Sequence, residues 1–141
     1  MTQIDFYTNV ADKVHTACRI AAKGYALGHR IFVVCPDAEI AQRCDRLLWT
    51  TPPTAFVPHC AAADALATVT PIIIDYRGTE PVHDEVLLNL RPEWPAFFGR
   101  FERLIEIVSL DDEDRRGARE RYKFYRDRGY EIRTRDLREA A

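Results

Sequence analysis

The sequence predicts a single α/β domain of the Rossmann-like, doubly wound kind, in which helices cover both faces of a mostly parallel sheet. An alternating strand pattern at the start of the chain is followed directly by an amphipathic helical pattern. Residues 31–35 and 72–74 are uninterrupted apolar runs rich in β-branched side chains, typical of strands that are buried on both faces. Strand and helix patterns then alternate along the chain, as this fold class requires.

The first half of the chain predicts the order β-α-β-α. Residues 3–8 alternate between apolar and polar side chains, which indicates a first strand. Residues 10–27 carry apolar side chains along one helical face and predict a helix. A second strand is predicted at 30–35, after which Asp37 is suited to cap a helix that ends near Trp49.

The second half begins less regularly. Short strands are predicted at 55–57, 72–74 and 86–90. Residues 94–101 are rich in aromatic side chains at helical spacing, which predicts a helix there. Residues 104–108 fit either a buried strand or the end of that same helix, because periodicity does not distinguish the two for a short apolar run.

The end of the chain predicts a polar helix and a last strand. The carboxylates at 111–114 are suited to a first helical turn, because negative charge near a helix N-terminus interacts favourably with the helix dipole. We therefore expect a helix that begins near Asp111 and ends before Gly129. The alternation of Tyr130, Ile132 and Thr134 predicts the final strand.

Length and composition restrict the class of protein. The chain has 141 residues, of which 47% are hydrophobic, and a formal net charge of -2. These values are typical of one folded domain, here residues 1–141, and exclude a disordered chain. The apolar runs are too short to span a bilayer, which needs about 20 residues, and the N-terminus lacks the pattern of a secretory signal. A cytoplasmic protein that does not enter the membrane is expected.

Motifs for common chemistries are missing from the sequence. The cysteines at 18, 35, 44 and 60 form no CxxC pair, so we expect no metal site. No phosphate-binding glycine motif occurs and Ser109 lies in no GxSxG motif, so neither a nucleotide cofactor nor serine hydrolysis is indicated. Asp75 follows a predicted strand, where α/β enzymes place catalytic groups, and His83 is expected in a solvated loop.

Positive charge is concentrated on the predicted last helix. Residues 1–114 contain 10 basic and 17 acidic residues, whereas residues 115–141 contain 10 basic and 5 acidic residues. At 100° per residue, one sector of the helix carries five of its side chains. These residues, here called the cationic stripe, are Arg115, Arg119, Tyr122, Lys123 and Arg126. Ala118 and Tyr125 fall on the adjoining sector and are expected in the core, so Tyr122 lies at the border.

The cationic stripe predicts an anionic ligand. Neighbouring like charges on a helix are unfavourable, and guanidinium groups bind carboxylates or phosphates through paired hydrogen bonds. Peptide carboxylates and nucleic-acid phosphates both fit. A third possibility is a solvated helix face that is only loosely paired with the carboxylates at 111–114.

Two sequence motifs resemble one protein family. Residues 119–126, Arg-Glu-Arg-Tyr-Lys-Phe-Tyr-Arg, are followed by Gly129-Tyr130. Earlier in the chain, Leu48-Trp49 and Pro52 precede the run 56–59, Phe-Val-Pro-His. Together these stretches resemble the chi subunit of bacterial DNA polymerase III, and nearly the whole chain is similar to that family.

The resemblance implies a non-catalytic accessory subunit without cofactors. Such a subunit pairs with the psi subunit, joins the clamp-loader complex, and binds the acidic C-terminal tail of single-stranded-DNA-binding protein, so that it meets DNA mostly indirectly. In the family, the terminal phenylalanine of the tail enters an apolar pocket while basic residues hold its carboxylates. The matching positions here are Arg119, Tyr122, Lys123 and Arg126, with Val108 and Arg115 corresponding by spacing. Trp49, Phe56, Pro58 and His59 are candidates for the pocket side, or else belong to the core and a loop turn.

Two other functions remain open from the sequence. One is a nucleic-acid-binding module whose basic C-terminal helix contacts phosphates. The other is a degenerate nucleotide-handling enzyme that uses Asp75. The aromatic residues of the 94–101 segment fit core packing better than an interface with the psi subunit.

Overall fold

A computed structural model describes residues 1–50 and 57–138. In these ranges the strands are β1 (Gln3–Val10), β2 (Ile31–Val34), β3 (His59–Ala61), β4 (Ile72–Asp75), β5 (Val86–Asn89), β6 (Arg103–Ser109) and β7 (Ile132–Asp136). The α-helices are α1 (Lys13–Ala26), α2 (Ala38–Thr50) and α3 (Asp112–Asp127). The seven strands form one parallel sheet in the order β3-β4-β2-β5-β6-β1-β7.

The sheet separates two apolar layers. On one face, side chains of α1 and α2 such as Ala17 and Leu48 are buried against alternate strand residues. On the other face, α3 contributes Ala118 and Tyr125 to a second layer that includes Phe6. Helices therefore cover both faces, and the predicted doubly wound α/β class is confirmed, as is the burial of Ala118 and Tyr125.

The buried-strand predictions are largely confirmed. The strands predicted at 30–35, 72–74 and 86–90 correspond to β2, β4 and β5, each of which has a neighbouring strand on both sides. The ambiguous run at 104–108 belongs to a strand, β6. It lies between β5 and β1, and residues 104–108 are all buried, because helices cover both faces at this position.

The helix predicted at 94–101 is wrong. In the described chain this segment contains turns and one short 3-10 turn, Phe98–Arg100. Pro95 has no backbone N–H to donate and disfavours helical geometry in the residue before it. The aromatic side chains pack instead as anchors of the loop, with the ring of Trp94 stacked 3.7 Å from that of Phe124.

The predicted Asp37 cap of α2 is present, and α3 begins beside Asp111 as predicted, with Asp111 as its cap. The Asp37 carboxylate accepts a hydrogen bond from the N–H of Ile40 at 2.9 Å, and Asp111 accepts one from Asp114 at 3.0 Å. The strand predicted at 55–57 falls mostly on residues outside the described ranges, and β3 begins only at His59.

The expectation that His83 is solvated is wrong. Its ring is buried and lies against the rings of Phe32 and Phe101, at centroid distances of 6.2 and 5.9 Å. Burial, together with the charge of Arg30, lowers the pKa of His83. Among the described residues, none of the helices has the length and apolar character of a membrane span, and no three acidic, histidine or cysteine side chains cluster as metal ligands.

The first turn of α3 is fixed by Asp114, and its removal should destabilise the fold. Asp114 accepts hydrogen bonds from Lys13 Nζ at 3.0 Å and from the N–H of Ser109 at 2.7 Å. Burial acts to raise the pKa of Asp114, but these two partners outweigh it and lower the pKa. We expect Asp114→Asn to reduce the free energy of unfolding by about 1.5–3 kcal/mol at pH 7, the range for charged hydrogen bonds. Urea titration of both proteins measures this difference.

The pH dependence gives a second check on Asp114. Because its pKa is lower in the folded state, the contribution is complete above the unfolded value of about 3.9 and is lost as the pH falls through the folded value. The difference between wild type and variant should therefore shrink below about pH 4. Asp112→Asn, in the same turn but exposed, is the matched control. An equal loss in both variants would contradict a specific role for Asp114.

Candidate functional site

The cationic stripe lies on the flank of α3 that is turned toward the neighbouring strands β1 and β7. Arg115 is half-buried, and its guanidinium donates a hydrogen bond of 2.6 Å to Oδ1 of Asn9. Asn9 is the second-last residue of β1 and has the left-handed conformation with φ of 59°, which asparagine adopts more readily than most residues. The contact joins the first turns of α3 to the end of β1.

A cavity of about 400 Å³ lies beside the stripe, between α3 and the strands β1, β6 and β7. We call it the α3 cavity. Its apolar lining comes from Phe6, Val108, Ala118 and Tyr122, and its cationic lining from Arg115 and Arg119. Thr8, Asn9 and Thr134 complete the wall. The structure thus brings together four of the residues predicted from the sequence, Val108, Arg115, Arg119 and Tyr122.

Tyr122 lies at the border between core and solvent, as predicted. Its side chain is 37% exposed, while its ring centroid is 5.5 Å from that of Phe6 in the core. The ring therefore forms an apolar wall of the α3 cavity next to two guanidinium groups. This combination suits a ligand that has both an apolar and an anionic part.

The other two stripe residues do not line the α3 cavity. Lys123 is exposed, and Arg126 makes an exposed ion pair of 3.4 Å with Asp127. An exposed pair of this kind contributes little and can exchange for another anion. Among the described residues, no ion pair involves Arg115, Arg119 or Lys123.

The candidate pocket residues from the earlier motif lie elsewhere. His59 begins β3, which is at the opposite edge of the sheet and four strand spacings, about 19 Å, from β6. Nδ1 of His59 donates a hydrogen bond of 2.7 Å to the carbonyl oxygen of Val57, and its Nε2 lies 3.1 Å from Asp45 Oδ1. The centroid of the Trp49 ring is 4.8 Å from that of the His59 ring. Neither Trp49, Pro58 nor His59 lines the α3 cavity, and Phe56 lies outside the described residues. The structure therefore does not bring these three described residues together with the stripe at the α3 cavity.

A buried polar network beneath α3 was not predicted. Arg121 is only 1% exposed, and its Nε donates to Glu106 Oε1 at 3.0 Å. Tyr125 donates its hydroxyl to Glu106 Oε2 at 2.6 Å, and Asn89 Nδ2 lies within 3.2 Å of both oxygens. Burial raises the pKa of Glu106, and the Arg121 charge with these donors opposes that effect.

The network sets the rotation of α3 about its axis. Arg121 also donates from Nη1 to the carbonyl of Pro92 at 2.8 Å, so one side chain joins the helix to β6 and to the loop after β5. With Arg121 and Tyr125 fixed inward, helix geometry directs Arg115, Arg119 and Tyr122 toward the α3 cavity. The sequence contains one indication of this network, the carboxylate of Glu106 in the middle of an apolar strand pattern. A charge that is buried in this way requires a partner.

The sequence is similar to those of proteins from one known family. The family model described as DNA polymerase III chi subunit, HolC, matches residues 1–133. A DNA polymerase III subunit chi from Pseudomonas aeruginosa is 30% identical over 94% of both chains. The subunit chi of Haemophilus influenzae is 34% identical over 86% of this chain and 85% of the relative, and that of Escherichia coli 32% over 83% and 80%. The matched range includes every residue of the stripe and every lining residue of the α3 cavity except Thr134. The chain belongs to the DNA polymerase III chi subunit family.

Proposed function

We propose that the chain is a non-catalytic accessory subunit that acts in DNA replication in the cytoplasm. In this proposal it pairs with the psi subunit, joins the clamp-loader complex, and holds the acidic C-terminal tail of single-stranded-DNA-binding protein in the α3 cavity. Membership of the chi subunit family supports the general role. The geometry of the α3 cavity supports the tail as its ligand.

The observation that carries the tail proposal is the combination of an apolar lining with arginines that form no ion pair within the described part of the chain. Phe6, Val108 and Tyr122 offer an apolar surface to a terminal aromatic side chain, and burying such a side chain contributes about 1.5–3 kcal/mol. Arg115 and Arg119 lie at the same cavity, where guanidinium groups can bind carboxylates through paired hydrogen bonds. Lys123 and Arg126 extend the positive charge along the helix for the remaining acidic residues.

The alternative ligand of the stripe is a nucleic acid. A nucleic acid that is bound through its phosphates contacts only the cations. The apolar lining of Phe6, Val108 and Tyr122 would then contact no part of the ligand. An acidic peptide with a large apolar end uses both parts of the cavity. The lining therefore favours the peptide over the oligonucleotide.

A charge reversal tests the proposal. We expect an acidic peptide that ends in phenylalanine to bind the wild-type protein, and Arg119→Glu to weaken that binding at least about tenfold, because attraction to the carboxylates becomes repulsion. Calorimetric titration measures the affinity, and thermal unfolding of the variant should be nearly unchanged. Arg46→Glu, an exposed arginine on α2, carries the same change of charge at a distant place and is the control.

Two further arms of the titration separate the alternatives. Raising the salt concentration should weaken binding, since exposed charges are screened beyond about 8 Å at physiological ionic strength. A peptide that ends in alanine should bind more weakly than the one that ends in phenylalanine. Equal affinity of Arg119→Glu and wild type would remove the stripe from the site. Binding of a bare oligonucleotide in place of the peptide would favour the nucleic-acid module.

A further inference from the structure

The last strand leaves one side of its backbone open. β7 is the final strand in the sheet order and pairs only with β1 among the described residues. Glu131 O accepts from the N–H of Ile4, and Leu137 N–H donates to Thr8 O, so the odd-numbered residues bond to β1. Because backbone groups alternate in direction along a strand, the N–H and C=O groups of Thr134 point to the open edge. This edge is able to pair with a further strand.

Two arginines of β7 project from the sheet face opposite α3. In the register of β1 and β7, Arg133 pairs with Asp5 and Arg135 with Tyr7. Neighbouring Cα partners share a face, and Asp5 and Tyr7 lie on the face of α1 because Ile4 and Phe6 lie on that of α3. The two arginines are two residues apart, so their Cα atoms are about 6.6 Å apart along the strand.

A second cavity lies on this face, beside the same strand. It has a volume of about 850 Å³ and lies between α1 and the strands β1, β6 and β7; we call it the α1 groove. Its cations come from three elements and are Arg19, Lys23, Arg103 and Arg135. Ile20, Ile105 and Leu137 contribute apolar surface.

Most of the positive charge around the α1 groove is not neutralised within the described chain. Arg103 forms an ion pair with Asp5, and Asp136 is paired with Arg138 at 3.1 Å, which lowers the pKa of Asp136 to about 2. In contrast, Arg19, Lys23 and Arg135 of the groove take part in no ion pair of the described residues, and neither does Arg133, which lies on β7 outside the groove lining. A concave cationic surface on a chain of net charge -2 is complementary to an acidic partner.

We propose that β7 and the α1 groove bind an extended acidic peptide segment, which adds to the sheet as an eighth strand. Alternate side chains of an extended peptide point to one face and repeat at about 6.6 Å, the same spacing as Arg133 and Arg135. Carboxylates at every second position therefore face these arginines and, across the groove, Arg19 and Lys23. The main chain of the peptide pairs with the open groups at Thr134.

The open edge favours a peptide over other anionic ligands. A phosphodiester backbone can bind the cations, but it has no regular series of N–H and C=O groups to pair with β7. Arginines on an edge strand can also serve only to prevent association with other sheets. That role does not account for Arg19 and Lys23 of α1, which lie in the α1 groove and not on the edge.

This site is distinct from the tail site proposed above and does not depend on it. The α3 cavity and the α1 groove lie on opposite faces of the sheet, and the edge ligand needs neither a terminal carboxylate nor a phenylalanine. A capped peptide of about eight residues, with glutamate and threonine alternating, is therefore the appropriate probe. A peptide of the same composition, with its glutamates in one block, is its control.

Amide hydrogen exchange and charge reversal test the edge site together. We expect the alternating peptide to bind the full chain, and to slow exchange of the Thr134 amide at least tenfold, since that N–H becomes hydrogen-bonded. Arg135→Glu should weaken binding at least tenfold, whereas Arg119→Glu, in the α3 cavity, should leave it unchanged. The block peptide should bind more weakly than the alternating one.

Each of the other outcomes overturns the proposal. Absence of peptide binding would mean that the arginines only protect the edge. Binding that is lost in Arg119→Glu and kept in Arg135→Glu would assign the peptide to the α3 cavity. Binding of a bare oligonucleotide that is sensitive to Arg135→Glu, without protection of Thr134, would make the α1 groove a phosphate site.

Discussion

Replacement of Arg121 by leucine is expected to lower the free energy of unfolding by about 3–5 kcal/mol, a large part of the roughly 5–15 kcal/mol that stabilises a typical domain. The variant removes the guanidinium whose Nε lies 3.0 Å from Glu106 Oε1, and both side chains are buried. The carboxylate then remains buried without its opposing charge, and Pro92 O loses its donor. Chemical denaturation of variant and wild type measures the loss.

Two controls distinguish the effect of leaving the Glu106 charge buried without a partner from the effect of losing any arginine of α3. Arg116→Leu, on the exposed side of the same helix, should change the free energy of unfolding by no more than about 0.5 kcal/mol. Adding Glu106→Gln to Arg121→Leu should recover part of the loss, because no charge then remains buried. A loss in Arg121→Leu as small as in Arg116→Leu would show that the network does not stabilise α3.

The pH dependence of Arg121→Leu follows from the same reasoning. Burial already raises the pKa of Glu106, and without Arg121 it should rise further. A carboxyl whose pKa is higher in the folded state opposes folding once the pH exceeds its unfolded value of about 4.3. The destabilisation of the variant should therefore be largest at neutral pH and smaller below about pH 4.

The order of strands and helices was largely predictable because buried parallel strands and amphipathic helices leave different patterns. The runs at 31–34 and 72–75 are buried on both faces and have no polar interruption before Asp75. The helix predicted at 94–101 was wrong for a physical reason. Its aromatic residues have helical spacing, but they anchor a loop through contacts such as that of Trp94 with Phe124, which lies 30 residues later in the chain.

The candidate site was predictable only where one helix determines it. Arg115, Arg119 and Tyr122 share a flank of α3 by helical geometry alone, and the structure brings them to one cavity. The part of the cavity lining that comes from β1, β6 and β7 depends on the strand order. In this order β1 lies beside β6, and His59 lies at the opposite edge of the sheet. Neither the position of β1 between β6 and β7 nor the α1 groove follows from local periodicity, because both arise from contacts such as those of Gln3 with Arg103 and of Ile4 with Ile132, which are far apart in the chain.

Replacement of Phe6 by alanine should affect both the stability of the fold and the binding of an acidic peptide with a terminal phenylalanine. Phe6 is 2% exposed, and its ring is 5.5 Å from that of Tyr122 and 6.1 Å from that of Tyr125. Truncation of a buried phenylalanine costs about 3–5 kcal/mol of folding free energy. It also removes the apolar surface that supports Tyr122, so we expect the affinity of the folded variant for the peptide to fall at least about tenfold.

Phe101→Ala distinguishes the local effect from general destabilisation. Phe101 is equally buried in the same apolar layer, but its ring lies against Phe32 and His83, away from the α3 cavity. It should cost a similar folding free energy and leave the affinity for the peptide unchanged, provided that both variants are titrated where they are folded. If either alanine variant fails to fold, Phe6→Leu and Phe101→Leu give the same comparison at a smaller cost in stability.

The comparison decides what Phe6 contributes to peptide binding. A loss of affinity in the Phe6 variant alone means that the apolar wall recognises the terminal side chain, and that the cations of the stripe are not sufficient. Equal affinities in the two variants would mean that the carboxylates provide all of the binding, in which case Arg119→Glu would abolish it and removal of the terminal phenylalanine from the peptide would not matter. The apolar lining of the α3 cavity predicts the first result, because surface charges alone contribute little at physiological salt.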